Sequence, residues 1–81
     1  MIKILFFGRL SDFAEPIVCD LPKEVTTTQQ LIKWLGREDV PLQTALSTEG
    51  NRVAVNQVLV SEDYPIKKGD EIAFMSPLSG G

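Results

Sequence analysis

The sequence predicts an α+β domain in which a mixed sheet carries one main helix packed across one face. Two observations support this prediction. Strand-like apolar segments lie near both ends of the chain, and one amphipathic segment with helical spacing lies between them. The first and last strands are the most apolar, so we expect them to lie side by side at the centre of the sheet. They would be parallel if the helix forms the crossover between them.

The first quarter of the chain is expected to form a hairpin of two strands. Apolar residues fill both alternating sets of positions in 2–7, which is typical of a strand buried on both faces. The polar stretch 9–15 then predicts a loop. The second strand begins at Pro16 and alternates apolar and polar residues as far as Leu21, so one of its faces is expected to be buried.

The middle of the chain contains the signals of a helix. Thr27 and Gln30 have the spacing of a capping box, as do Thr26 and Gln29, and an apolar stripe follows over 31–35. Gly36 is expected to end this helix in the left-handed conformation. The spacing of apolar residues over 42–46 indicates a short second helical piece.

The final third is rich in strand-forming residues. Short strands are predicted on both sides of a tight turn at Asn56-Gln57, and the last strand is predicted over 72–75. A central strand cannot continue past Pro77, because proline lacks the N–H that the ladder needs. The prediction is therefore one folded domain over 1–75 and a flexible C-terminal tail over 76–81.

Composition argues against several classes of function. The chain has 81 residues, one cysteine, no histidine and a formal net charge of −3. No basic cluster exceeds a pair of lysines, so neither nucleic acid nor an anionic membrane is an expected partner. Without an imidazole base, any catalysis is expected to depend on groups that a partner supplies. The single cysteine and the lack of a signal-peptide pattern predict a cytoplasmic protein.

The chain ends in Gly80 and Gly81. A carboxylate preceded by two glycines has no side chain beside it, and glycine adopts backbone angles that other residues avoid. Such a segment can enter a narrow channel in another protein, where a Cβ atom would clash. The alternative is an end without function, since chain termini are usually poorly ordered.

Four segments carry a resemblance to a known family. They are 2–8, the residues 53–57, 59–61, 63 and 65 of the next segment, 69–74 and 77–81. Together they resemble the small sulfur-carrier subunit of molybdopterin synthase, one of the ubiquitin-like sulfur carriers. Residues 54–57 and 73–74 favour the molybdopterin branch over the thiamine branch. Three residues depart from the pattern. The family often has a second proline and a bulkier aromatic residue where Met75 and Ser76 stand, and Ser79 replaces the commoner threonine.

The resemblance implies a ubiquitin-like β-grasp fold and a role in carrying sulfur. In the family, an ATP-dependent enzyme adenylates the terminal glycine carboxylate, and sulfur then replaces AMP to give a thiocarboxylate. The carrier inserts its tail into the large catalytic subunit, commonly in a heterotetramer, and donates sulfur to cyclic pyranopterin monophosphate. By this resemblance the chain is not an enzyme by itself and holds no bound cofactor or metal.

The resemblance also implies roles for individual residues. Gly81 would carry the acyl-adenylate and then the thiocarboxylate, and Gly80 would provide steric clearance. The residues expected inside the partner's tunnel are Ser76, Pro77, Leu78 and Ser79. The residues expected to dock the partner are Phe7, Leu59 and Met75. Core packing is the alternative for these three, because the sequence does not fix which face of a strand a residue occupies.

Three other functions stay open at this level. A thiamine-type sulfur carrier would share the activation and differ in its acceptor. A ubiquitin-like modifier would join Gly81 to lysines of other proteins, and a docking module would have an inert tail. Cys19 is interpreted as a small buried hydrophobe, because nothing near it in the sequence would lower the pKa of its thiol.

Overall fold

The computed structural model describes residues 1–61 and 63–77 of the chain. Within these residues the chain forms one mixed sheet of five strands, two α-helices and a short 3₁₀ helix. The strands are β1 (Ile2–Phe7), β2 (Ile17–Cys19), β3 (Arg52–Val55), β4 (Val58–Val60) and β5 (Glu71–Met75). The helices are α1 (Thr28–Gly36), α2 (Val40–Leu46) and the 3₁₀ helix Gly8–Asp12. No helix in these two described ranges has the length and apolar character to cross a membrane.

The first and last strands lie side by side in the interior of the sheet. The strand order is β2-β1-β5-β3-β4. β1 and β5 are parallel, with Ile4 opposite Ile72 and Phe6 opposite Phe74, whereas β1–β2, β3–β4 and β3–β5 are antiparallel. The predicted hairpin at the start of the chain is confirmed. The predicted parallel pairing of the first and last strands is also confirmed.

Both α-helices pack on the same face of the sheet. Their buried residues join one apolar core with alternate residues of β1 and β5 and with Val55 of β3. The rings of Phe6 and Phe74 stack with their centroids 5.9 Å apart in this core. The core residues contributed by the helices are Leu31, Ile32, Leu42 and Leu46. The second helical piece indicated by the sequence is therefore present, and it covers part of the same face as α1.

The expectation that β1 is buried on both faces is wrong. Ile2, Ile4 and Phe6 are buried beneath the helices, whereas Leu5 is half-buried and Phe7 is 49% exposed. The helices cover one side of the sheet, and no element of the described chain is packed on the other. We call this second side the open face.

Polar side chains cap the starts of both helices, and for α1 the cap is one of those that the sequence predicts. Thr27 Oγ1 accepts a hydrogen bond from the Gln30 N–H at 3.3 Å, and Gln30 Oε1 accepts one from the Thr26 N–H at 2.7 Å. The second of these bonds reaches one residue further back than in a standard capping box. Asp39 Oδ1 accepts from the Leu42 N–H at 3.1 Å and so caps α2.

Gly36 does not end α1 in the left-handed conformation, so that expectation is wrong. It is the last residue of α1 and is buried against α2. A Cβ atom on Gly36 would lie 2.6 Å from Gln43 Cβ and 2.9 Å from Gln43 Cα. Glycine is required here because the two helix backbones approach closely, not because the helix must stop.

Two connections differ in how well they were predicted. The stretch expected as a loop after β1 is partly a 3₁₀ helix, because Leu10 turns inward and is 2% exposed. The turn between β3 and β4 is confirmed: Asn56 and Gln57 both have positive φ, 51° and 70°, as the tightest hairpin turns require.

Candidate functional site

β5 ends at Met75, and the next two residues, Ser76 and Pro77, form what we call the tail root. The Ser76 N–H donates to the Phe7 carbonyl oxygen at 3.4 Å, and Ser76 Oγ accepts from the Arg9 N–H at 2.9 Å. Both partners are backbone groups at or just beyond the end of β1. The C-terminal tail therefore leaves the sheet at a fixed place, beside the end of its parallel neighbour.

Two glycines lie against the tail root, and one of them makes room for it. Gly8 has φ +66°, and a Cβ atom there would overlap Ser76 Oγ and lie 3.4 Å from Ser76 Cβ. Gly50 has φ +94°, and a Cβ atom there would lie 3.4 Å from Pro77 Cγ, which is an ordinary contact distance, so its backbone angle and not the space favours glycine. Any other residue at position 8 would be strained by its own backbone angle and would also displace Ser76.

Four of the residues given roles by the resemblance lie outside the described residues. They are Leu78, Ser79, Gly80 and Gly81. Their roles in the partner's tunnel and as sulfur carrier remain predictions. Ser76 and Pro77 are described, and the structure places them at the tail root, although it does not test their passage through a partner.

Cross-strand register places all three predicted docking residues on the open face. Phe7 is paired with Met75, and directly paired residues direct their side chains to the same side of a sheet. Successive residues of a strand point to opposite faces, so this pair lies on the side of the sheet opposite to the buried pair Phe6–Phe74. The next row of paired residues on the open face is Leu5, Ala73, Ala54 and Leu59.

The open face has a broad apolar strip that the sequence analysis only partly identified. Leu59 is 60% exposed and Phe7 is 49% exposed, and about 10 Å separates β4 from β5 across two strand spacings. Ala54 and Ala73 lie between them and form a low floor. These two alanines were missed, because their membership of the strip follows from register, which a single sequence does not show.

The open face also carries charge at the tail end. Arg52 is paired with Met75, so its side chain projects from the same face and is exposed. Monomeric proteins rarely expose contiguous apolar patches without a binding partner. The arrangement suits a partner surface that is apolar at its centre and acidic where it meets Arg52.

The Asn56 and Gly69-Asp70-Glu71 segments that contribute to the resemblance meet at the other end of β5. Asn56 Nδ2 donates to Asp70 Oδ1 at 2.9 Å, and Asn56 Oδ1 accepts from the Glu71 N–H at 2.9 Å. Asp70 Oδ2 accepts from the Lys67 N–H at 2.9 Å, and Lys67 Nζ lies 3.6 Å from Oδ1. These residues join the β3–β4 turn to the start of β5 and have no contact with the tail root.

Asp70 is buried, at 5% exposure, yet its carboxylate is stabilised. Burial alone would raise the pKa of Asp70, but the hydrogen bonds from Asn56 and Lys67 and the charge of Lys67 hold that pKa below its usual value. Asp70 therefore organises the turn after Gly69, and its role is structural.

Cys19 is half-buried on β2 and has no feature of a reactive thiol. Burial raises the pKa of Cys19, and the neighbouring charge of Asp20 raises it further. Among residues 1–61 and 63–77, no group of three or more histidine, cysteine or acidic side chains is placed to hold a metal ion.

A groove of about 520 Å³ lies between the 3₁₀ helix, α2 and the tail root. Its lining is mostly apolar, and two of the residues at it are strongly exposed: Val40 at 75% and Phe13 at 46%. Ser76 and Pro77 form part of its wall. The groove was not predicted, because it depends on how a 3₁₀ helix and α2 meet in space.

Comparison with known proteins identifies similar chains over the whole length. The model of the ThiS family matches residues 4–81. The molybdopterin synthase sulfur carrier subunit of Escherichia coli (strain K12) is 33% identical over 81 residues, covering all of both chains. The subunit of the same name from Haemophilus influenzae is 30% identical, again covering all of both chains. The one from Dictyostelium discoideum is 36% identical over 98% of this chain and 94% of its own.

Two solved structures share the fold. SAMP1 from Haloferax volcanii superposes with a TM-score of 0.78 at 18% identity, covering 99% of this chain and 98% of that one. A chain in the complex of subunits 1 and 2 of molybdopterin-converting factor from Helicobacter pylori superposes with a TM-score of 0.68 at 23% identity. The match covers 99% of this chain and 97% of that one. The predicted ubiquitin-like β-grasp fold is confirmed by these neighbours.

Proposed function

The chain belongs to the ThiS family, and on that premise we propose that it is the sulfur-carrier subunit of a molybdopterin synthase. The observation that carries this proposal is its full-length similarity to three sulfur carrier subunits of that enzyme, at 30% to 36% identity. In two of these comparisons the aligned region covers all 81 residues of this chain, so it includes the glycines at positions 80 and 81.

The proposed carrier atom is the carboxylate carbon of Gly81. A carboxylate is a poor electrophile, so its oxygen first attacks the α-phosphorus of ATP and releases pyrophosphate, which gives an acyl-adenylate. A hydrosulfide ion, released by the sulfur source, then attacks the carbonyl carbon, the C–O bond to the phosphate breaks and AMP leaves, which gives the thiocarboxylate. A partner adenylating enzyme uses the ATP in this scheme, and the carrier itself binds no cofactor. The acceptor is cyclic pyranopterin monophosphate, held by the large subunit.

The tail root supports a delivery role for the last residues. Ser76 is fixed by two hydrogen bonds, one to the Phe7 carbonyl oxygen of β1 and one from the Arg9 N–H just beyond β1. The tail therefore starts from a rigid position. The four residues after Pro77 span at most about 14 Å when extended. The acceptor site must therefore lie within this distance of the docked sheet. We propose the division into a docking domain over 1–75 and a delivery tail over 76–81 on this basis.

The open face is the proposed docking surface for the large subunit. Its apolar strip lies next to the tail root, because Phe7 and Met75 are the last residues of β1 and β5. A partner that covers the strip would receive the tail in the same contact. The Helicobacter pylori neighbour is described as a protein–protein complex of two subunits, which supports a partner of this kind.

The chain contains no histidine, and the pKa of its one thiol, on Cys19, is raised. These features support a non-catalytic subunit whose turnover depends on the large subunit and on the adenylating enzyme. We propose that this activity takes place in the cytoplasm, and that the working assembly is a heterotetramer of two small and two large subunits.

Deletion of Gly81 tests the carrier role. With purified large subunit, activating enzyme, ATP, a sulfur source and the pterin substrate, the intact chain should support molybdopterin formation. The chain lacking Gly81 should support none, while its thermal unfolding and its binding to the large subunit stay unchanged. Activity in the deleted chain would refute the tail mechanism.

The same assay separates the other functions. Sulfur transfer to a thiazole precursor instead of the pterin would assign the thiamine branch. Covalent conjugates on lysines of many proteins would assign a protein modifier.

A further inference from the structure

We propose that the groove between the 3₁₀ helix, α2 and the tail root is the resting site of the chain's own last four residues. In this state Leu78 fills the apolar groove and the Gly81 carboxylate lies against Arg9. The inference goes beyond the proposed function, and it rests on that function only in treating the Gly81 carboxylate as the group to be protected.

The position of the groove is the first argument. Ser76 and Pro77 are part of its wall, so the residues that follow Pro77 begin at its edge. Because these residues reach at most about 14 Å, the surfaces around the tail root are the ones available to them. The groove, at about 520 Å³, is within the size range of sites that hold small ligands.

The chemistry of the lining is the second argument. The floor includes Leu10, which is 2% exposed, and the rim includes Val40, which is 75% exposed. Leu78 is the only apolar residue larger than glycine after Pro77. Covering Val40 and Phe13 with that side chain would remove apolar surface of both partners from water.

Charge complementarity is the third argument. Among the described residues that line the groove, Arg9 is the one that carries a charge. The segment beyond Pro77 carries no charged side chain, and its single charge is the terminal carboxylate. An apolar residue followed by a carboxylate therefore meets an apolar groove with one guanidinium. Arg52, which is paired with Met75, presents a second guanidinium on the open face, so the test below compares the two surfaces.

The consequence is a competition between the resting site and the partner. A bound tail would keep its carboxylate away from enzymes that have not engaged the open face. Docking of a partner beside the tail root would then draw the tail into the partner's channel. The groove and the open face have separate residues, so the two states can be perturbed independently.

Nuclear magnetic resonance of the full uncharged chain tests the proposal. We expect nuclear Overhauser contacts between the Leu78 methyl groups and the methyl groups of Val40 and Ala45. We also expect L78S and R9Q to shift the amide resonances of Thr44 and Ala45 in the same direction. R9Q keeps the bond to Ser76, because the donor is the Arg9 backbone N–H.

The control is L59S, which alters the open face and should leave the Thr44 and Ala45 resonances in place. The proposal is overturned if Leu78 contacts only residues adjacent in sequence, or if the shifts in L78S are confined to 76–81. None of these measurements uses the activating enzymes. A negative result here, together with sulfur loading at Gly81, would remove the resting site and leave the carrier function intact.

Discussion

Replacing Leu59 by serine should weaken binding to the large subunit about tenfold without unfolding the chain. Leu59 is 60% exposed on β4, so most of its side chain is still available for burial by a partner. Full burial of a leucine contributes about 1.5–3 kcal/mol, and the exposed share of Leu59 therefore corresponds to about 1–2 kcal/mol. Since about 1.4 kcal/mol is a factor of ten in Kd, the expected loss lies between about fivefold and thirtyfold.

Val58 provides a matched control for this variant. It is adjacent to Leu59 on the same edge strand and is 63% exposed, but it projects from the opposite face. Val58→Ser makes a similar change in strand propensity and surface polarity. Both variants should keep the free energy of unfolding within about 0.5 kcal/mol of the parent chain, because both side chains are already largely in water.

Isothermal titration calorimetry with the large subunit is the assay. Leu59→Ser should raise Kd and reduce the magnitude of the negative heat-capacity change of binding, because less apolar surface is buried. Val58→Ser should do neither. If both variants weaken binding equally, or if Leu59→Ser binds like the parent chain, the open face is not the docking surface.

The remaining predictions concern the groups that hold the site in place. Gly8→Ala should lower the free energy of unfolding, measured by urea denaturation, by about 1–2 kcal/mol from its backbone angle alone. Adding Ser76→Ala should restore only the further loss that comes from the overlap of the new Cβ with Ser76 Oγ. Asp70→Asn should cost about 2–3 kcal/mol at pH 7, since it weakens buried hydrogen bonds to a charged group. Because the folded pKa of Asp70 is lowered, the deficit should shrink as pH falls below about 4, and a constant deficit in acid denaturation would refute that role. Gly36→Ala should destabilise the chain by about 1–3 kcal/mol, although alanine normally favours a helix, because its Cβ meets the backbone of α2; a rise in melting temperature would contradict this.

The elements could be predicted because their signals are local. The capping residue Thr27, the turn at Asn56-Gln57 and the apolar β1 and β5 each depend on a few adjacent residues. The fold class follows from their order along the chain. The resemblance also led us to predict Phe7, Leu59 and Met75 as docking residues; the structure places them on one face, and their docking stays a prediction.

What could not be predicted depends on residues that meet only after folding. Phe7 and Leu5 are apolar on the second face of β1, and the sequence pattern is the same whether a helix or a partner protein covers that face. Gly36 illustrates the same difficulty, because glycine is required both for a left-handed helix end and for close contact between helices. The neighbour across the contact, on α2, decides between them.

The apolar strip of the open face is an intermediate case. Its large residues were expected to dock a partner, yet Ala54 and Ala73 were not predicted to belong to the strip, because their place in it follows from the register. Their exposed fractions, 7% and 9%, are low, and only the register separates them from the core beneath the helices. If the register of a strand were shifted by one residue, the residues of that strand that belong to the strip would lie on the helix-covered face instead.

The central claim is that Gly81 carries sulfur, and intact-mass spectrometry tests it most directly. The chain would be incubated with ATP, cysteine and cytoplasmic extract of its host, and a known carrier would confirm that the activating enzymes are competent. The account predicts a mass increase equal to the exchange of one oxygen for sulfur, localised by fragmentation to Gly81. An unchanged mass beside a loaded control carrier would contradict the account and leave the open face as the docking surface of a protein with another function.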